Sequence, residues 1–280
     1  MPERGSAVSE QLAAPRADWD DPSPVGLLRL VLSRISTMCL IELHKLRRDR
    51  TELLTRAIQP ALWLVIFGGT FTRLRVIPTG NVSYLDYLAP GILAQSALFV
   101  AIFYGIRIIG ERDAGVLAKL LVTPTPRMAL VISKAFAAAV RALVQALVVL
   151  GLAALLGVGL TANPLKLLAM AVVVILGSTF FCCLSITIAG LVPARDKLMG
   201  VVQVIIMPLF FASSALYPVE LMPGWLRVLN HLNPLGYEVD ALRGLLIGTP
   251  AQLTLDFGIL MSTSAVMIAI ASALLGRLTH

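Results

Sequence analysis

The chain has 280 residues and a formal net charge of +7, with 58% hydrophobic but only 14% charged residues. Because a soluble domain carries roughly 25% charged residues, this composition argues against two soluble domains and favours one all-α, polytopic membrane domain. The basic excess would also suit nucleic acid, but in so apolar a chain basic loops facing anionic lipid explain it better. We therefore expect the lipid bilayer, and no nucleic acid, as a partner.

The N-terminal part of the chain divides into two segments. Residues 1–24 are polar and lack the apolar core of a signal peptide, so we expect a disordered cytoplasmic tail. Residues 25–52 place apolar side chains at helical spacing among several Arg and Lys, which predicts an amphipathic helix lying in the membrane interface. A cytosolic helix packed on a partner would show the same pattern.

The remaining chain, residues 53–280, predicts six transmembrane helices, since a crossing needs about 20 apolar residues. Lys and Arg concentrate in the N-terminal segment and in alternate loops, so both termini are predicted to be cytoplasmic. The predicted location of the protein is the inner (cytoplasmic) membrane. The predicted spans are approximately 53–72, 88–109, 135–160, 167–192, 198–217 and 253–275.

A short charged segment, residues 111–124, lies between the second and third spans. It combines a leucine stripe with basic residues and a Thr-Pro stop, which favours a cytoplasmic helix that docks on another protein. Its first two charged residues, Glu111 and Arg112, would also suit a solvated helix start, where the helix dipole favours a Glu. The candidate docking residues are Glu111, Arg112, Gly115, Leu117, Leu120, Leu121, Thr123 and Pro124.

A second unusual segment, residues 217–248, lies between the fifth and sixth spans. Pro223 and the pair Asn233-Pro234 each predict a helix start, and Gly248 predicts a stop. Both helices would be too short to cross a bilayer, which favours an outer re-entrant hairpin that shapes an exit. The alternative is a hairpin that only shields the top of a dimer.

Few polar residues fall inside the predicted spans. Arg141 and Gln145 share one face of the third helix with Lys134. Arg141 would either extend its charged group to the lipid headgroups or line a transport pathway. Gln95, Gln145 and Gln203 would either line the same pathway or form contacts between helices. The spans contain no acidic cluster to hold a cation, which favours an amphipathic substrate.

The two unusual segments resemble those of type-2 ABC exporter permeases, and the daunorubicin-resistance-like branch most of all. The run from Glu111 to Pro124 resembles that family's cytoplasmic loop. The runs around Pro218 and Asn233 resemble its outer re-entrant segment, and the likeness covers most of the chain from about residue 30. The matching outer residues include Pro218, Glu220, Met222, Pro223, Trp225, Asn233, Pro234, Tyr237, Asp240 and Arg243.

The resemblance implies a permease domain that pairs with a second copy or a sister permease and with two copies of a separate ATPase. The segment 111–124 would be the coupling helix that docks on the ATPase. This chain lacks the Gly-x-x-x-x-Gly-Lys-Ser/Thr loop, so ATP and Mg would bind the partner and the chain would not be an enzyme by itself. The expected cargo is a drug, lipid or lipid-linked molecule. A glycan exporter of the same fold and an ATP-independent carrier or channel are the alternatives.

Overall fold

The computed structural model describes residues 33, 36, 37, 40, 55, 58–74, 82–115, 127–192 and 195–275. Every regular element within these residues is helical. The predicted tail, nearly all of the predicted interfacial helix and the segment 116–126 lie outside them. The longer helices are α1 (58–74, a π-helix over Trp63–Gly68), α2 (Tyr84–Asp113), α3 (Arg127–Leu155), α4 (Pro164–Leu191), α5 (Arg195–Phe211), α6 (Gly224–Leu232), α7 (Pro234–Leu246) and α8 (Leu253–Leu274); a 3-10 turn, Val219–Leu221, precedes α6.

Four of the described helices are long and apolar enough to cross a bilayer: α2, α3, α4 and α8. They correspond to the second, third, fourth and sixth predicted spans. The first and fifth are present as shorter apolar helices, Ile58–Thr72 and Lys197–Phe211. Six crossings therefore remain a prediction, of which four have helices of sufficient length.

Local capping explains where the long helices begin and end. α2 starts four residues before the apolar run because the Ser83 hydroxyl accepts a hydrogen bond from the Asp86 amide. Asn163 and Asn233 cap α4 and α7 in the same way, each followed by Pro at the first helical position. α3 ends at Leu155 rather than near residue 160, because Gly157 has a left-handed φ of 81° that a helix cannot continue through.

α2 and α4 form the centre of the bundle. α2 packs against α1, α3, α4 and α7, while α4 also contacts α3, α7 and α8. The axes of α2 and α4 approach closely at Gly105, where an added Cβ would lie 2.8 Å from the Cys182 carbonyl oxygen. The Ser185 hydroxyl donates to the Ile102 carbonyl at 2.8 Å, so its polar group is satisfied inside the contact. Cys182 and Cys183 are buried in this core as packing residues.

Candidate functional site: two polar cavities and a cationic cluster

The predicted hairpin consists of an exposed helix, α6, and a buried one, α7. α6 presents the apolar side chains of Trp225, Val228 and Leu232, which are 67%, 60% and 75% exposed. α7 packs among α2, α4 and α8. It extends from the α3–α4 loop, where the Leu246 carbonyl accepts from the Thr161 amide at 2.9 Å, to the middle of α4. Whether that depth places α7 within the bilayer stays a prediction.

A polar network around Arg243 holds α7 in place. The buried guanidinium donates to the Ser214 carbonyl at 2.7 Å and lies 3.7 Å from the centre of the Tyr87 ring. It also pairs with Asp240 Oδ1 at 3.4 Å, which in turn accepts from the Ser214 hydroxyl at 2.8 Å. Burial lowers the pKa of Arg243 and raises the pKa of Asp240, since taking either charge out of water outweighs their attraction. Arg243 thus links α7 to α2 and to the turn after α5.

Other predicted hairpin residues attach the two short helices to α5 and to each other. Asn233 donates from its amide nitrogen to the Leu209 carbonyl at 2.6 Å, which ties the start of α7 to α5. The Tyr237 hydroxyl donates to the His231 carbonyl at 2.9 Å across the α6–α7 junction. Met222 is buried just before α6, whereas Trp225 projects outward.

A cavity of about 930 Å³, here called the hairpin cavity, lies between these elements and the start of α8. Of the predicted hairpin residues, the cavity is lined by Pro218, Glu220, Tyr237, Asp240 and Arg243, whereas Met222, Pro223, Trp225, Asn233 and Pro234 do not line it. Several other lining residues were not predicted from the sequence, including Tyr87, Asn230, His231 and Asp256. An acid in the first turn of a helix is too common to signal a site, so Asp256 carries no recognisable pattern.

A second, smaller cavity, here called the glutamine cavity, has a volume of about 440 Å³ and lies between the start of α1 and helices α2 and α3. It brings together Gln95 and Gln145, two of the four predicted pathway residues, and adds Gln59, Phe99 and Phe103. The other two predicted pathway residues do not line it. Arg141 is buried elsewhere in the bundle, and Gln203 is exposed on α5.

A cationic cluster, here called the Tyr104 cluster, occupies the opposite end of α2 from the hairpin. Lys134 forms an ion pair with Glu111 across the α2–α3 contact. Arg141, Lys134 and Arg107 surround the Tyr104 ring, at 4.2, 5.6 and 5.9 Å from its centre. The cluster therefore joins two helices by charge and ring contacts near the predicted docking segment.

The remaining predicted docking residues are only partly described. Arg112 forms an ion pair with Asp113 at 3.0 Å. Gly115 has a left-handed φ of 69°, directly after the end of α2. Leu117, Leu120, Leu121, Thr123 and Pro124 lie outside the described residues, so the helical form of this segment stays a prediction.

Comparison with known proteins places this architecture in a class of transport protein. The profile of the ABC-2 type transporter family matches residues 34–247, most of the chain. This chain is therefore a membrane transport permease of the ABC-2 type transporter family. The match includes the Tyr104 cluster, the glutamine cavity and nearly all of the hairpin.

Individual relatives cover a comparable part of the chain. It is 34% identical over 206 residues to ycf38 of Cyanophora paradoxa, named as a transport permease, covering 71% of this chain and 69% of the relative. DrrC of Mycobacterium tuberculosis, named as a doxorubicin resistance ABC transporter permease, is 29% identical over 80% of each chain. Nodulation protein J of Rhizobium leguminosarum is 28% identical over 81% of this chain and 87% of its own.

Proposed function

We propose that this chain is the transmembrane subunit of an ATP-driven exporter that carries an amphipathic molecule across the cytoplasmic membrane. The observation that carries the proposal is the glutamine cavity. Its amides and phenylalanines combine hydrogen-bonding groups with apolar surface inside an otherwise apolar bundle, which suits a cargo with both kinds of surface. Similarity to a permease named for doxorubicin resistance supports a drug as the cargo, with lipids and lipid-linked molecules as the other members of that class.

The energy source is a separate ABC ATPase, present in two copies and carrying the ATP and Mg. It docks on the segment 111–124, and the permease itself is completed by a second copy or a sister chain. Family membership supports this assembly. The chain then alternates between inward- and outward-accessible forms, and nucleotide biases the two because the ATPase binds them with different affinity.

The Tyr104 cluster supports a specific route for the coupling. Glu111 and Lys134 lie on opposite sides of the segment 114–126 and are joined by an ion pair. A displacement of that segment therefore reaches α2 and α3 together rather than one helix alone. Both helices contribute a glutamine to the glutamine cavity, so the movement changes the cavity's width.

The test is the substitution Leu120→Asp in the full chain, with any bound ATPase recovered from a membrane extract. A charge in an apolar docking stripe would be buried without a partner, so we expect roughly tenfold or greater loss of co-purified ATPase and of its ATP hydrolysis. Ala162→Asp in the exposed loop before α4 introduces the same charge at the hairpin end and is the matched control. Undiminished ATPase recovery with Leu120→Asp would contradict the docking assignment and favour an ATP-independent carrier.

A further inference from the structure

The hairpin cavity gathers carboxyl groups that are far apart in the sequence. Glu220 comes from the turn after α5, Asp240 from α7 and Asp256 from the first turn of α8, and all three line the cavity. The predicted spans contain no acidic cluster along the sequence. The folded chain nevertheless places these three carboxyl groups around one cavity at the hairpin end, and the packing of α7 against α8 brings Asp240 and Asp256 to it.

The charges lining the cavity do not balance. Asp240 is paired with Arg243, whose guanidinium lies on the Tyr87 ring. Glu220 and Asp256 form no ion pair with the described residues. Among the Asp, Glu, Lys and Arg residues of the lining, three are acidic and one, Arg243, is basic. The cavity therefore presents an excess of negative charge.

Two residues of the lining each have a buried acceptor atom without a hydrogen-bond partner among the described residues. These atoms are Asp256 Oδ2 and Asn230 Oδ1, from residues that are only 4% and 5% exposed. A buried donor, Arg243 Nε, is likewise without a partner there. Buried polar atoms are nearly always hydrogen-bonded. A lining with unsatisfied acceptors and excess negative charge is arranged for a ligand that donates hydrogen bonds and carries positive charge.

The geometry narrows the chemical class of that ligand. Among the described residues, no three His, Cys, Asp or Glu side chains come close enough together to hold a metal ion. An ammonium group donates three hydrogen bonds and needs no such convergence. The cavity's volume of about 930 Å³ falls within the range for drug-sized ligands, roughly 300–1,000 Å³. A hydroxyl or carbonyl beside the ammonium group would accept from Arg243 Nε.

We propose that the hairpin cavity binds an organic ammonium ion, with the Asp256 carboxylate as its principal partner and with Asn230 and Glu220 as further acceptors. The simpler explanation is that Asp256 only complements the dipole at the start of α8. That accounts for an acid in the first turn but leaves one buried oxygen of this lining residue without a partner among the described residues. The idea that this cavity contacts exported cargo rests on the proposed function. Binding of an ammonium ion to the cavity does not depend on it.

The experiment is a fluorescence titration of the purified full chain in lipid nanodiscs, without ATPase or nucleotide, using the primary amine dansylcadaverine as the probe. We expect saturable binding above that of empty nanodiscs. The uncharged analogue N-butyl dansylamide should bind much more weakly. Asp256→Asn keeps the size of the side chain but removes its charge, so it should weaken binding about tenfold or more. Asp113→Asn, the same change at the other end of α2, should leave the affinity unaltered.

Two results would overturn the proposal: equal affinity in the Asp256→Asn variant and the parent, or equal binding of the charged and uncharged probes. If Asp256→Asn elutes as an aggregate, the variant Glu220→Gln tests the proposal instead, because Glu220 is exposed. We expect its affinity for dansylcadaverine to fall about threefold, since a charge and an acceptor are lost. An unchanged affinity in that folded variant would then overturn the proposal. Because no ATPase is present in the titration, a negative binding result would not affect the Leu120→Asp docking test. A negative docking result would likewise leave the binding result valid.

Discussion

At the scale of single residues, two tyrosines organise the polar parts of an apolar bundle. Tyr87 supports Arg243 at the hairpin end, and Tyr104 supports Lys134 and Arg141 at the other. A cation over an aromatic face is stabilised by the ring's quadrupole, and more strongly away from water. The rings therefore help positive side chains to lie inside the bundle.

Replacing Tyr104 tests this role. Tyr104→Leu removes the ring face from three neighbouring cations and should lower the free energy of unfolding by about 1–2 kcal/mol. Tyr104→Phe keeps the face and should retain most of the stability. The measurement is the midpoint of thermal unfolding of the purified protein in detergent, and equal losses in both variants would show that the hydroxyl, not the ring, matters.

Glu238 is a residue for which no pattern in the sequence predicts a special environment. It is fully buried, both carboxyl oxygens lack hydrogen-bond partners among the described residues, and it lies against Gly177. An added Cβ at Gly177 would come within 2.2 Å of the Glu238 carboxyl. The fit depends on the absence of a side chain on another helix, so it cannot be predicted from the residues around Glu238.

At the scale of helices, glycines set how closely α2 can approach its neighbours. An added Cβ at Gly91 would lie 2.2 Å from the Ala215 carbonyl oxygen, in the backbone of the turn after α5. The Tyr84 hydroxyl donates to the Leu216 carbonyl and the Tyr87 hydroxyl to the Ser214 carbonyl, so two hydrogen bonds from α2 to this turn require the same close approach. Gly91 thereby positions one wall of the hairpin cavity.

Gly91→Ala should force that turn away from α2. Because the clash is with backbone, we expect a loss of about 1–3 kcal/mol in stability. Dansylcadaverine binding should weaken too, since Tyr87 and Ser214 would shift. Gly110→Ala lies on the same helix with no atom within 4 Å of the added Cβ, and should be neutral or slightly stabilising. Thermal unfolding of the two variants in parallel checks the prediction. Equal unfolding midpoints would show that the turn after α5 moves away from Gly91 at little cost in stability.

At the scale of the whole molecule, the two cavities and the cationic cluster are distributed along one bundle. α2 has 30 residues, which corresponds to about 45 Å of helix and exceeds the roughly 30 Å hydrocarbon core of a bilayer. Tyr87 in its first turn contacts Arg243 of the hairpin, its middle lines the glutamine cavity and its end forms an ion pair with α3. One helix thus connects all three polar regions, as a transport cycle driven from one end would require.

The predicted orientation places the hairpin end outside the cell. With Cys39 replaced, Ala162→Cys in the α3–α4 loop should react with a membrane-impermeant maleimide in intact cells. Asp113→Cys should react only after permeabilisation, since it lies at the Glu111 end. Cys182 and Cys183 are buried and should not contribute. The reverse labelling pattern would show that the basic loops do not face the cytoplasm.

The sequence by itself determined the membrane class, the long apolar helices, the Asn-Pro helix starts and the family, because composition, hydrophobic length and capping act locally along the chain. It also singled out Gln95 and Gln145, which do share a cavity. Only the tertiary structure decided that Arg141 packs on Tyr104 instead of lining that cavity, and that Asp256 lines the hairpin cavity together with Glu220 and Asp240. These placements depend on which faces of distant helices come together, and each contact is fixed by packing between segments with no shared pattern in the sequence.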